Sequence, residues 1–311
     1  MQTHPVPGSF RRRGPLRLLL LIGVGLAASG CHPGNQEAKL LSRSCESGDV
    51  TACNEFAARL QQGEYVLRDE PRAATLFQRA CDGGVGTSCA SLGVMYQRGR
   101  GVRRDSARAS DLFRQGCERG GMEGCTRLGV LHLRGVGAPR DVERAAALFH
   151  QACDGGDVTG CAELGALYAA GEGVEQDVDR AATLFQRSCD STTTTGCVGL
   201  GRLYSAGAGV PRNDSLAVKL FDDACDEADA AGCFHLGRLH ESGAGIAQDF
   251  GRAAALYRNA CDRGHGEACY SLAALYEKGA GVRRIPERVT ELHRRACELG
   301  HAEACPRPKG P

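Results

Sequence analysis

The chain is predicted to be an all-α, right-handed solenoid of αα-hairpins, 36 residues per unit and stapled by disulfides. Three observations predict it. The motif Cys-x7-Cys occurs eight times: Cys45 with Cys53, Cys81 with Cys89, Cys117 with Cys125, Cys153 with Cys161, Cys189 with Cys197, Cys225 with Cys233, Cys261 with Cys269 and Cys297 with Cys305. The first cysteines of successive pairs always stand 36 residues apart. A Gly-x-Gly loop recurs in the same register six times between them, from Gly99/Gly101 to Gly279/Gly281. On either side of each loop, apolar residues repeat at helical spacing. A fixed period of this length marks stacked supersecondary units, each burying its apolar face against the next, in place of one globular core.

The N-terminal element reads as an export signal. Arg11, Arg12, Arg13 and Arg17 precede a short apolar core, Leu18 to Ala28, below the roughly 20 residues an ordinary transmembrane helix takes. The segment ends Leu26-Ala-Ala-Ser-Gly-Cys31, which resembles a bacterial lipobox, where small residues precede a cysteine that is lipidated and becomes the mature N-terminus. The match departs at Ala28, where the common pattern has Leu. Residues 1–30 are accordingly read as a lipoprotein signal peptide, and residues 31–37 as a lipidated N-terminus and tether. Ordinary cleavage, with Cys31 an incidental thiol, is the alternative. Several acyl chains on Cys31 would anchor more firmly than the single chain that binds reversibly. His32, not Asp, follows the cysteine, so the resemblance implies an outer-membrane lipoprotein facing the periplasm or the cell surface. Four of the 38 basic residues and none of the 37 acidic ones lie in residues 1–30, so the remainder is weakly acidic. Nucleic acid, which calls for a basic stripe, is not an expected partner.

From Ala38 to Cys45 the pattern predicts an isolated second helix that caps the stack, which runs to Cys305. The unit beginning at Asp157 shows the grammar. A first helix spans Val158 to Ala170, with Cys161, Leu164, Leu167 and Tyr168 on its apolar face, and stops at Gly171. The loop through Gly173 asks for positive φ, with Val174 placed to plug the hairpin. Asp177 is the expected N-cap of a second helix, Val178 to Cys189. Ala181, Ala182, Leu184, Phe185 and Ser188 divide that helix into small and large faces. The cap recurs as Asp69, Asp105, Asp141 and Asp249, with Asn213 as a substitute. Ile285 breaks the pattern, and Pro286 partly replaces the signal. The first loop, Gly63-Glu-Tyr65, lacks the second glycine. After Cys305 only Pro-Arg-Pro-Lys-Gly-Pro remains, so the last unit is cut short and residues 306–311 are expected to be disordered.

Each first cysteine falls in the last turn of a second helix, and its partner in the first turn of the next helix. Two antiparallel helices across a short turn bring the Cβ atoms face to face, so eight local bridges are expected. Pairing Cys53 with Cys81, and so on, would strand Cys45 and Cys305. An even ladder of this kind points to an oxidising compartment. The rival use of the cysteines is metal. Zinc sites use Cys-x2–4-Cys with a second pair, and haem attachment uses Cys-x-x-Cys-His. Neither is present, so no metal and no cofactor is expected.

The run Leu-Gly-x-Leu-Tyr-x-x-Gly-x-Gly-Val, seen from Leu164 to Val174, resembles the Sel1-like repeat, a relative of the tetratricopeptide repeat, over residues 38–305. With the cysteine ladder it is similar to the cysteine-rich Sel1 proteins of Helicobacter, and to a mitochondrial assembly factor for cytochrome oxidase. That resemblance implies a scaffold for a protein or peptide. The scaffold is read as holding a peptide, protein or cell-wall fragment at the envelope surface; the resemblance also implies, as an alternative, a penicillin-binding protein with weak β-lactamase activity on a β-lactam. Ser-x-x-Lys is absent, Ser215 to Lys219 being one residue too long, so the serine β-lactamase motif set is missing and no catalytic residue is assigned. His132 and His240 fill the slot of Tyr96, Tyr168, Tyr204 and Tyr276, and read as packed substitutes. His235 lies five residues from His240, off a shared face. His265, His293 and His301 read as scattered turn or surface residues.

Binding residues are sought where the repeats vary. Positions one, five and eight after each second cysteine form a stripe on the first helix. It runs from Ala90/Val94/Gln97 through Val198/Arg202/Ser205 and Phe234/Arg238/Glu241 to Tyr270/Ala274/Glu277. Arg202, Phe234, Arg238 and Tyr270 are the candidate anchors, aromatics and arginine dominating interface hot spots. Equally, the stripe packs against the next repeat, and the sequence does not say which side is concave.

Overall fold

A computed structural model describes residues 33–137, 139–189 and 193–305 of the chain. The predicted signal segment, Cys31 and the tail 306–311 lie outside the described residues. The helices, in chain order, are α1 (Pro33–Glu46), α2 (Val50–Gln62), α3 (Glu70–Asp82), α4 (Gly86–Arg98), α5 (Ser106–Glu118), α6 (Met122–Arg134), α7 (Val142–Asp154) and α8 (Val158–Ala170). There follow α9 (Val178–Cys189), α10 (Thr194–Ala206), α11 (Asp214–Asp226), α12 (Ala230–Ser242), α13 (Phe250–Asp262), α14 (Gly266–Lys278) and α15 (Pro286–Glu298). The described residues hold no strand. Even-numbered helices are the first of each hairpin and odd-numbered ones the second. A 3-10 turn, Ala302–Ala304, stands where the next first helix would begin.

The tether expected up to residue 37 is shorter. Helix α1 starts at Pro33, because proline at the first helical position gives up an N–H that would have no partner there. It lies ahead of the first hairpin and is joined to α2 through Cys45 and Cys53.

The predicted caps form. Asp177 Oδ1 accepts the Arg180 N–H at 2.9 Å. The same bond is made by Asp69, Asp105, Asp141, Asn213 and Asp249, while Ile285 makes none. The cap residue's own N–H closes the loop onto the tyrosine-slot carbonyl, as in Asp177 to Tyr168 at 3.0 Å. A further set escaped the sequence reading. Asp49, Asp157 and Asp229 cap first helices, and His265 Nδ1 accepts from Ala268 N–H at 3.2 Å.

The second loop glycine is dictated by stacking in every such loop except that of Gly137, where a Cβ would meet nothing within 4 Å. A Cβ on Gly173 would lie 2.8 Å from the backbone of Val142, and one on Gly281 only 2.2 Å from Phe250, at the start of the preceding second helix. In the first loop Tyr65 takes the same left-handed conformation, φ 58°. There the glycine has moved to the other partner: Gly34 of α1 lies beneath the Tyr65 ring, where a Cβ would come within 2.5 Å.

The core is one layer per repeat. Phe77, Phe113, Phe149, Phe185, Phe221 and Tyr257 come from the second helices and are all at most 5% exposed. The glycine of each Leu-Gly pair makes room for them, since a Cβ on Gly129 would stand 2.6 Å from the Phe149 ring. Val174 is half-buried against Phe149, Leu164 and Leu167, as a plug.

Eight disulfides close the turns between hairpins, and the pairing is local throughout. Cys45 is bonded to Cys53, Cys81 to Cys89, Cys117 to Cys125 and Cys153 to Cys161. Cys189 is bonded to Cys197, Cys225 to Cys233, Cys261 to Cys269 and Cys297 to Cys305. Each bridge joins residues eight apart at Cα–Cα distances of 4.5–4.8 Å. The alternative ladder from Cys53 to Cys81 does not form. Cys89, Cys125, Cys161, Cys233 and Cys269 are each fully buried in the first turn of a first helix. Cys53 in α2 is fully buried as well, whereas Cys197 and Cys305 are half-buried. None of these cysteines is left as a free thiol.

Candidate binding groove

Successive first helices touch directly, α4 with α6, α6 with α8, α8 with α10 and α10 with α12. Among the described residues no two second helices make a comparable contact. The first helices therefore form the tighter, inner layer, and their free face is the concave side of the stack.

The stripe read from the sequence divides on this face. Position one is an inter-repeat contact. Ala90, Thr126, Ala162, Val198 and Phe234 are buried. Thr126 Oγ1 donates to Asp157 Oδ2 at 2.6 Å, reaching the next repeat's cap. Phe234 is thus no anchor. At 2% exposure its ring packs on His265, 4.5 Å between centroids, and on Tyr257 at 5.8 Å. The large ring fills the space that Ala162 leaves small two repeats earlier. Tyr270, one repeat on, is half-buried, stacks on His293 at 5.4 Å and packs tilted against His301 at 4.7 Å. The histidines read as scattered are gathered by these two rings, because residue 265 or 301 at the start of one first helix always faces position one of the helix before.

Positions five and eight stay accessible. Ala166, Arg202 and Arg238 are exposed, and Val94, Val130, Leu133, Ser205 and Glu241 half-buried. Arg202 and Arg238 line a single open cavity of about 750 Å³ with Arg212, Phe221, His235 and Glu241. His235 stacks on Phe221 at 5.0 Å. Burial, together with the positive charges of Arg202, Arg238 and His265, pushes its pKa down to about 3, with Asp229 opposing. The imidazole is therefore neutral at physiological pH. His265 is also held below the ordinary histidine range, by burial first, with Glu267 and Asp229 acting the other way. Glu241 accepts the Tyr257 hydroxyl at 2.6 Å; burial, and then this bond, push the Tyr257 pKa up.

His240 is buried at 4% exposure and is a packed substitute for tyrosine, its Nδ1 lacking a partner, as does that of His132. Among the described residues no group of three His, Cys, Asp or Glu is placed to hold a metal ion. No helix among them is long and apolar enough to cross a membrane.

Seven consecutive segments, 50–85, 87–121, 123–157, 158–192, 195–229, 230–265 and 266–301, match the Sel1 repeat profile. Among solved structures, a protective antigen of uropathogenic Escherichia coli with an SLR fold is 30% identical, with a TM-score of 0.59. The match covers 86% of this chain and 57% of the antigen's, so this chain spans a little over half of that protein. A Sel1 repeat protein from Oxalobacter formigenes shares the fold at 24% identity and TM-score 0.58, over 86% of this chain and 78% of that one. Cysteine rich protein B of Helicobacter pylori aligns with 42% of this chain and 95% of its own, at 29% identity and TM-score 0.34. No curated protein matches the chain.

Proposed function

This chain belongs to the Sel1 repeat family, and on that premise we propose that it is a binding scaffold of the bacterial envelope that holds a protein or peptide along its concave face. One observation carries the reading. Packing fixes position one of each first helix, yet leaves positions five and eight accessible, and their side chains change along the stack, from Val94 and Val130 through Ala166 to Arg202 and Arg238. A surface that varies between otherwise interchangeable units is where selectivity can be written without disturbing the fold. The disulfide ladder points to an oxidising, extracytoplasmic environment. In this reading Cys31 carries the lipid that tethers the stack to the outer membrane.

A photo-crosslinking residue tests the reading. Placed at Ala166, exposed on the inner face, it should give discrete protein adducts from envelope extract that excess unlabelled protein competes away. At Thr183, exposed on second helix α9, it should give none. Equal adducts from both positions, or none from Ala166 in folded protein, would overturn the concave-face assignment. Nitrocefin turnover by the same oxidised protein would displace the scaffold reading in favour of β-lactam hydrolysis.

A further inference from the structure

The cavity between α10 and α12 has a charge pattern that points to one kind of occupant. Arg202 and Arg238 hold the same position in successive repeats, and both are exposed. Elsewhere, several arginines that reach between repeats are matched by a carboxylate: Arg100 with Glu70 at 3.1 Å, Arg140 with Glu172 at 2.7 Å, and Arg295 with Asp262 at 2.9 Å. Inside the cavity, Arg212 is neutralised by Asp214 through contacts of 2.9–3.1 Å. Glu241 is directed to the Tyr257 hydroxyl. Arg202 and Arg238 form no ion pair among the described residues; the Arg238 guanidinium lies 6.0 Å from the Phe234 ring centre. The neutral imidazole of His235 stands near both. Two unmatched guanidinium groups thus face an open groove in a chain that is weakly acidic once residues 1–30 are set aside.

Packed helices lie roughly 8–10 Å apart, so equivalent positions on α10 and α12 are separated by about 10 Å at the backbone, and two carboxylates carried on one chain at that spacing can meet the two arginines separately. An extended chain in the polyproline II form rises about 3.1 Å per residue and turns once in three, so side chains three residues apart lie on one side and span the gap. We propose that this groove docks an acidic peptide in extended form, with separate carboxylates paired to Arg202 and Arg238. The proposal rests on the scaffold reading and names the ligand chemistry at one part of that face.

The test uses oxidised protein from residue 32 onward and three fluorescein-labelled probes: hexaglutamate, hexaglutamine and a six-residue oligothymidylate. Fluorescence anisotropy should show saturable binding of hexaglutamate, weakened by added salt, and none of hexaglutamine. The double variant Arg202→Gln/Arg238→Gln should bind hexaglutamate at least about tenfold more weakly, at unchanged circular dichroism and melting temperature, since two charge-assisted contacts are removed. Arg252→Gln, an exposed arginine on second helix α13, should bind as the parent does. No hexaglutamate binding, binding indifferent to the double variant, or tighter binding of the oligothymidylate would overturn the proposal. In each of those cases, partner adducts persisting at Ala166 would leave the scaffold reading standing, and their loss would remove both.

Discussion

At the scale of single residues, the repeat supplies its own reference states. Ala228 adopts φ 68° in the turn before α12, where the equivalent residues are glycines such as Gly156 and Gly264, φ 94° and 92°. An L-residue is strained in the left-handed region, so Ala228→Gly should stabilise the protein by about 1 kcal/mol in denaturant melts. An unchanged or lower midpoint would show that the turn relaxes around the alanine. Ser188 gives a second case. Its hydroxyl is fully buried without a partner, at a slot occupied by Ala152, Ala224, Ala260 and Ala296 in other repeats. Removing an unsatisfied buried hydroxyl should recover about 1 kcal/mol in Ser188→Ala, and a loss of stability there would mean that the hydroxyl is solvated after all.

At the scale of the element, legibility followed the kind of interaction. Helix limits, caps and left-handed glycines are local, and the bounds of α8 and α9 and the cap at Asp177 were readable from a few neighbouring residues. The contact between position one and the start of the helix 31 residues later is not local, so Phe234 looked like a free anchor and His265 like a turn residue. The only sequence signal was that both slots vary together, Thr126 facing Asp157 and Phe234 facing His265. The same packing makes the α12–α14 region sensitive to acid. His235 has a folded pKa of about 3 against an ordinary 6.5, so between those values the unfolded chain binds more protons than the folded one. Stability from this group is complete above about pH 6.5 and is lost as pH falls toward 3. His265, displaced the same way, adds to the trend. Each group contributes at most about 1.4 kcal/mol per pH unit across its window. Melts at pH 7.5 and 4.5 should differ less for His235→Asn than for the parent, and an equal difference would assign the acid sensitivity elsewhere.

For the molecule as a whole, the stack has no deep core to rely on. Up to α13 each repeat buries one or two aromatic rings and a few aliphatic and alanine side chains, the chain has no tryptophan, and neighbouring repeats meet only each other. Closing a nine-residue loop is worth about 2.5 kcal/mol in the chain-entropy description, and every junction between hairpins carries such a closure. Staples placed at the turns stabilise the array without occupying the concave face, which leaves positions five and eight free to serve a partner. The anchoring reading belongs to this scale too: Cys31→Ala should move the protein from the membrane to the soluble fraction, and continued sedimentation with membranes would count against a lipid at that residue.

Local disulfides, repeat by repeat, hold this scaffold together. Thermal unfolding decides whether they do: the protein from residue 32 onward is melted under circular dichroism in its oxidised form and again after full reduction and alkylation. The reduced protein should show a much lower and broader transition, and the bridges in the oxidised sample should map to cysteines eight residues apart. A reduced protein that melts at the oxidised temperature would show that packing alone sustains the stack.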